Sequence, residues 1–173
     1  SGIYSWPGSV WILFMNADGT VKDQNKISKS NNVLASKLNS GDMFGWDVTP
    51  VGDLDKDGVP DIAVGAPGDD DGDNQERGAF YLLFLNADGS AKAVTKVSDT
   101  AGGFEGKLRS GDRFGASLAA LGDVDGDGVT EIAAGAPQDD DGSGDNSGAI
   151  WTLFLAGMPA LCGDADADGA VAS

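Results

Sequence analysis

The chain has 173 residues, 40% of them hydrophobic, so it is long enough to bury a core. Its 28 acidic and 11 basic residues give a net charge of −17, which argues against nucleic acid and anionic membranes as partners and favours cations. There is no histidine and one cysteine, which excludes Ser-His and Cys-His nucleophilic pairs, histidine zinc sites and an internal disulfide framework. No apolar run reaches the length of a membrane span, so no membrane insertion is expected.

The sequence repeats itself with an offset of 70 residues. The segment Gly-Ser-Val-Trp-Ile-Leu-Phe that begins at Gly8 matches the segment that begins at Gly78, and a third copy begins at Gly148. A period this long, with four short strand-like segments in each unit, is typical of a propeller blade rather than of a helical solenoid.

Four strands are predicted in the complete unit from β-branched and aromatic runs bounded by Gly, Asp and Pro. They lie near Phe44–Val51, Asp61–Ala66, Ala79–Leu85 and Ala91–Ser98. The turn Asn86–Gly89 is expected to close the third and fourth strands into a hairpin, because its glycine tolerates a positive φ. The second and third strands are nearly free of polar residues, which predicts burial on both faces, as in blades packed face to face.

The phase of the repeat predicts a division into four parts. Residues 1–40 form strands three and four of a partial blade, 41–110 a complete blade, 111–157 strands one to three of another, and 158–173 a C-terminal tail. The predicted fold is therefore all-β, with four-stranded antiparallel propeller blades and an incomplete ring. Because a ring needs about four to eight blades, we expect either part of a longer propeller or a homo-oligomer whose copies complete one another.

Two aspartate-rich loops lie between the predicted first and second strands. The loops 53–61 and 123–131 place carboxylates at positions one, three, five and nine, glycine at six and a backbone carbonyl at seven, which is calcium spacing. An EF-hand would need glutamate at position twelve, where Val64 and Ala134 stand. The alternative is an aspartate-rich turn without metal. The predicted Ca²⁺ ligands are Asp53, Asp55, Asp57, Val59 and Asp61 in the first loop and Asp123, Asp125, Asp127, Val129 and Glu131 in the second.

Three further acidic segments are left open. Asp69–Asp73 and Asp139–Asp145 join the predicted second and third strands, where the sequence is compatible with another calcium ion or with a solvated acidic loop. Asp164–Asp168 has the opening of an EF-hand-like or dockerin-type loop without its later positions, and disorder is expected there.

A Phe-Gly pair, an Asp-x-Asp-x-Asp-Gly loop and a Gly-Ala-Pro triplet follow one another in two units, beginning at Phe44 and Phe114. This series resembles the FG-GAP repeats of integrin α-subunit propellers and their bacterial relatives, over residues 1 to about 155. The resemblance implies a seven-bladed propeller with calcium between strands one and two of a blade, and it carries the calcium role to the ten ligands above. Glu131 departs from the usual aspartate.

The leading functional hypothesis is a calcium-binding, non-catalytic module for adhesion or protein contact, secreted or at the cell surface. Glycan binding is the first alternative, because Trp6, Trp11, Trp46 and Trp151 offer faces that stack on sugars. Core packing is expected instead for Trp11 and Trp151, which share one repeat position with Tyr81. A polysaccharide-degrading enzyme is the second alternative, but no acid pair stands apart from the metal loops.

Overall fold

The structure is a computed structural model that describes residues 6–71, 75–140 and 147–156. Within these ranges it contains no helix, and therefore none that could span a membrane. The nine strands are β1 (Ser9–Met15), β2 (Val21–Ser28), β3 (Val48–Gly52), β4 (Asp61–Ala66), β5 (Ala79–Leu85), β6 (Ala91–Val97), β7 (Ser117–Gly122), β8 (Glu131–Ala136) and β9 (Ala149–Leu153).

The strands form three open sheets in chain order. Sheet 1 contains β1 and β2, sheet 2 contains β3, β4, β5 and β6, and sheet 3 contains β7, β8 and β9. All neighbouring strands are antiparallel. Sheets of two, four and three strands are consistent with incomplete propeller blades, and the predicted all-β fold class is confirmed.

The predicted strand positions in sheet 2 are confirmed for β4 and β5, and β6 ends one residue earlier than expected. The prediction that the first strand begins at Phe44 is wrong, because β3 begins at Val48. The backbone of Phe44 pairs instead with Gly8, just before β1, and its N–H donates to the carbonyl of Pro7 at 3.0 Å. Gly45 then adopts a φ of 91°, which turns the chain away from a strand conformation.

The predicted hairpin turn at Asn86–Gly89 is confirmed. The N–H of Gly89 donates to the carbonyl of Asn86 at 2.8 Å, and the N–H of Asn86 donates to the carbonyl of Ser90 at 2.8 Å. Gly89 has a φ of 75°, so an L side chain there would be strained.

Sheet 2 lies between the other two sheets, and all seven residues of its central strand β5 are buried. Successive side chains of a strand point to opposite faces, so each face of β5 contributes to a different core. The face toward sheet 1 carries Tyr81, Leu83 and Leu85, and the face toward sheet 3 carries Phe80, Leu82 and Phe84. The predicted burial of strands two and three on both faces is thus confirmed for β5 and for most of β4.

The three aromatic residues at one repeat position differ in burial. Tyr81 is fully buried and Trp151 packs partly buried against the core, but Trp11 is 50% exposed. The prediction of core packing is therefore confirmed for Tyr81, met in part by Trp151 and wrong for Trp11. Trp11 lies on the face of β1 opposite to Val10, which contacts sheet 2, and within the described residues no sheet covers that face.

Neighbouring sheets approach each other so closely that only glycine fits at the contact. A Cβ atom at Gly65 in β4 would lie 2.1 Å from the carbonyl oxygen of Gly115, at the start of the next blade. Gly135 occupies the same repeat position in sheet 3, and a Cβ atom there would meet the Oγ of Ser117 at 2.3 Å. A hydroxyl can rotate away, whereas a backbone carbonyl in a packed sheet cannot.

We predict that Gly65→Ala lowers the free energy of unfolding by about 3 kcal/mol, because the added methyl forces two sheets apart. Gly135→Ala is the matched control and is expected to cost less than about 1 kcal/mol. Urea unfolding of both variants measures the difference. Equal losses would contradict the backbone contact as the cause.

Candidate metal centre

The two predicted metal loops have two internal hydrogen bonds in common. Loop 53–61 connects β3 to β4, and the carboxylate of Asp53 accepts hydrogen bonds from the N–H groups of Asp57 at 3.0 Å and Gly58 at 2.8 Å. The Oδ1 of Asp57 accepts from the N–H of Val59 at 2.8 Å. Loop 123–131 connects β7 to β8 and repeats the bonds Gly128 N–H to Asp123 at 3.0 Å and Val129 N–H to Asp127 at 2.8 Å. Each loop therefore folds back on its first aspartate.

This folding brings three carboxylates together in each loop. In both loops one oxygen from each of positions one, three and five lies within 4.8 Å of the others; the residues are Asp53, Asp55 and Asp57 in one loop and Asp123, Asp125 and Asp127 in the other. Carboxylates this close repel one another unless a cation offsets their charge. A set of hard oxygen donors around one point suits calcium.

The carboxylates at position nine lie apart from these groups. Asp61 and Glu131 are fully buried at the start of β4 and β8. Asp61 accepts hydrogen bonds from the N–H groups of Leu54 and Leu85, both at 2.9 Å, and Glu131 accepts from the N–H of Val124 at 2.6 Å. These bonds fix the loop to its strand, a role that the spacing did not reveal. Their role as metal ligands stays a prediction, as does that of the carbonyls of Val59 and Val129.

Burial and hydrogen bonding oppose each other at Asp61. Burial raises the pKa of its carboxyl, and the two backbone N–H donors lower it, with a net upward shift. The two hydrogen bonds stabilise the ionised form of Asp61, but burial outweighs them.

Lys92 of β6 brings a positive charge to the first loop. Its Nζ lies 2.7 Å from Oδ2 of Asp55 and also forms an ion pair with Asp57. The hydrogen bonds to Asp55 and Asp57 raise the pKa of Lys92, and its hydrogen bond lowers the pKa of Asp57. Sequence analysis missed this residue, because only the antiparallel pairing of β5 and β6 places it beside the loop. The corresponding repeat position is Cys162, outside the described residues.

The described part of the next acidic segment is a buried ion network. Asp69 is 2% exposed and accepts a hydrogen bond from the hydroxyl of Tyr81 at 2.6 Å. The Nζ of Lys96 lies 2.6 Å from both Asp69 and Asp71. Burial alone would raise the pKa of Asp71, but its contacts with Lys96 and Ser98 produce a net lowering. The alternative of a solvated acidic loop is therefore wrong for Asp69 and Asp71. The described residues do not include Asp73, Asp141–Asp145 or Asp164–Asp168, which belong to the three acidic segments of the sequence analysis.

Asp42 is a buried carboxyl outside the metal loops. It is 1% exposed, and its Oδ2 accepts a hydrogen bond from the N–H of Asn39 at 2.6 Å. Burial and the neighbouring Asp69 raise the pKa of Asp42 to about 7, against the effect of that hydrogen bond. Burial also raises the pKa of Asp112, the corresponding residue of the next repeat.

Comparison with known proteins identifies the repeats. The family model described as FG-GAP repeat matches residues 44–83 and 114–153. The chain is 35% identical to human integrin alpha-6 over 129 residues, 72% of this chain and 11% of that protein. It is 39% identical to Drosophila melanogaster integrin alpha-PS5 over 97 residues, 56% of this chain and 9% of that protein. It is 33% identical to bovine phosphatidylinositol-glycan-specific phospholipase D over 111 residues, 64% and 13% respectively. The chain spans only about a tenth of the length of these relatives.

We predict that the free energy of unfolding of Asp42→Asn, relative to that of the wild type, increases as the pH rises. The pKa of Asp42 is about 7 in the folded chain and 3.8 in the unfolded chain. Protonated Asp42 therefore contributes fully to the stability of the wild type below about pH 4, and this contribution is lost as the pH rises through about 7. The measurement is urea unfolding between about pH 5 and about pH 8. Asp23→Asn, at an exposed strand position, is the control and should show no such trend. A difference between wild type and Asp42→Asn that stays constant with pH would contradict the assignment.

Proposed function

Because this chain contains two FG-GAP repeats, we propose that it is a calcium-binding, non-catalytic propeller module for adhesion or protein interaction, placed outside the cell or at its surface. The observation that carries the proposal is the convergence of three carboxylates in each of the two loops that connect the first and second strands of a blade. The two loops share their carboxylate spacing, their position in the sheet and two internal hydrogen bonds.

Calcium in these loops would stabilise the folded chain. A cation that joins positions one, three and five fixes the connector between β3 and β4, and likewise that between β7 and β8. Binding to the folded chain alone stabilises it by RT ln(1 + [L]/Kd), which is about 2.7 kcal/mol when calcium exceeds Kd a hundredfold. Extracellular modules bind calcium with Kd values of about 10⁻⁴ to 10⁻³ M, so loops of this affinity would be occupied at millimolar calcium.

The absence of catalytic chemistry is supported by residue types and by the environment of the acids. The chain contains no histidine. Asp61 is held by backbone N–H groups and Asp69 by Tyr81 and Lys96, so neither is set up as a general acid or nucleophile beside a substrate cleft. The phospholipase D relatives are named as enzymes, but the chain corresponds to 13% of the bovine protein.

Glycan binding is the alternative favoured by the exposure of Trp6 and Trp46, which are 79% and 62% exposed. A titration of tryptophan fluorescence with neutral and acidic oligosaccharides distinguishes the two proposals. A saturable change that Trp46→Ala removes would favour the glycan alternative.

We predict that millimolar calcium raises the melting temperature over that in EDTA, and that calorimetric titration gives two sites. Asp55→Asn and Asp125→Asn should each remove about half of this stabilisation and the double variant all of it, because each removes one ligand charge from one loop. Asp23→Asn is the control and keeps the full shift. A double variant that is still stabilised as strongly as the wild type would refute the proposed sites.

We further predict that Lys92→Met increases the calcium affinity of loop 53–61 by about threefold to tenfold, because calcium no longer displaces an ammonium group from Asp55 and Asp57. The affinity is measured by titration in the Asp125→Asn background, where the second loop is weakened. Lys22→Met is the matched control, since Lys22 occupies the same repeat position in a sheet that has no metal loop among the described residues. An unchanged or weaker affinity in Lys92→Met would show that Lys92 does not compete.

A further inference from the structure

We propose that a cleft between sheets 2 and 3 binds an extended segment of a partner protein that carries an aspartate or glutamate between two apolar residues. The cleft has a volume of about 680 Å³. This is within the range of about 300–1,000 Å³ that is usual for ligand pockets, so the cleft admits a few residues of a partner rather than a whole domain. The inference rests on the protein-interaction part of the proposed function and not on calcium binding.

The cleft lies at the end of the sheets opposite to the metal loops. Met43 and Arg113 line it from the two loops that precede β3 and β7, and Pro67 and Pro137 line it just after β4 and β8. The metal loops instead follow β3 and β7 and precede β4 and β8. Because the strands of each pair are antiparallel, these two sets of connections lie at opposite ends of the strands. A partner in the cleft is therefore spatially separate from the metal loops.

The charge of the cleft is unlike that of the chain as a whole. The chain has 28 acidic and 11 basic residues. Among the described residues that line the cleft there is no aspartate or glutamate, and Arg113 is the one charged residue. A carboxylate is repelled by much of the chain's surface but meets a cation here, so the complementary group on a partner is a carboxylate.

The guanidinium of Arg113 is available to such a partner. The side chain is 42% exposed, and its Nη2 lies 3.7 Å from Oε2 of Glu76, which is beyond hydrogen-bond distance. Its Nε has no hydrogen-bond acceptor among the described residues. Because a guanidinium has five N–H donors, Arg113 retains donors for the carboxylate of a partner.

Large apolar side chains line the cleft from both sheets, whereas Arg113 belongs to the connection between the sheets. Trp46, just before β3, is 62% exposed, and Ile150, in β9, is 78% exposed; both line the cleft together with Met43. The cores of protein interfaces are enriched in tryptophan, methionine and arginine and depleted in aspartate, glutamate and lysine. The lining of the cleft has this composition, which favours a protein segment with apolar residues on both sides of its carboxylate.

The repeat itself supplies substitutions that suit the fold. Met43 occupies the position of Arg113 in the preceding repeat with nearly the same φ, 59° against 58°. Ala116 occupies the position of Trp46 in the following repeat. Arg113→Met and Trp46→Ala are therefore expected to keep the fold while they change what the cleft presents to a partner.

The test uses acetylated and amidated pentapeptides with glutamate between two apolar residues, each with a matched peptide that has glutamine instead. The peptides are titrated into the full isotope-labelled chain in millimolar calcium, and binding is followed by nuclear magnetic resonance. We expect saturable binding of glutamate peptides, with the largest shifts at residues that line the cleft. The glutamine peptides should bind about threefold to tenfold more weakly, because they lose the charge interaction with the guanidinium.

Variants of the chain separate the contributions of charge and apolar surface. Arg113→Met should remove the difference between glutamate and glutamine peptides, whereas Trp46→Ala should weaken both. Glu76→Gln should strengthen the binding of glutamate peptides, because Glu76 competes for the guanidinium of Arg113. Arg109→Met is the matched control and should leave binding unchanged, since Arg109 is also exposed but pairs with Asp140 and does not line the cleft. Circular dichroism checks that all variants fold.

Equal binding of glutamate and glutamine peptides, or no saturable shifts with any peptide at millimolar concentration, would overturn the proposal. Saturable binding of a uronic-acid oligosaccharide to the same residues, with no binding of any peptide, would also overturn it, since the occupant would then be a glycan. The calcium-dependent shift of the melting temperature is measured on the same samples. A chain that keeps this shift but binds no peptide refutes this inference alone, and a chain that binds peptide without the shift refutes the calcium sites alone.

Discussion

The close backbone contact between neighbouring sheets is the constraint on which the rest of the structure depends. Gly65 and Gly115 meet at a distance that leaves no room for a Cβ atom, and Phe44 and Phe114 are buried beside the corresponding contacts. Sheets that stack at this distance bury both faces of β5. Each blade must present its glycines and its phenylalanine at the same place, so these residues recur with the 70-residue period of the sequence.

The charge of −17 makes this stacking costly unless the carboxylates are compensated. Several kinds of interaction compensate the charge of these carboxylates. Backbone N–H groups hold Asp53 and Asp61, and lysine side chains neutralise Asp55 and Asp69. Asp42 instead has a raised pKa, so protonation offsets the cost of its burial. Calcium in the two loops would compensate further carboxylate charge, as the N–H groups and lysine side chains do elsewhere in the fold.

The two end faces of the sheet stack show what the contact between blades contributes. Trp11 on sheet 1 and Ile150 on sheet 3 are exposed, although residues at the same repeat positions, Tyr81 and Phe80, are fully buried. Their sequences do not explain the difference, since all are large and apolar. Among the described residues, the difference arises from whether a neighbouring sheet covers the position.

The sequence by itself determined the strand order, the hairpin turn at Gly89 and the spacing of carboxylates in loops 53–61 and 123–131, because these depend on local patterns and on an internal repeat. It predicted the convergence of Asp53, Asp55 and Asp57, but not the separate backbone bonds of Asp61. Only the tertiary structure decided that Lys92 and Lys96 lie against acidic loops, that Phe44 belongs to a junction rather than to a strand, and that Trp11 is exposed. The reason is physical: these outcomes depend on which sheet lies next to a residue, and contacts between strands and sheets distant in sequence leave no local signal.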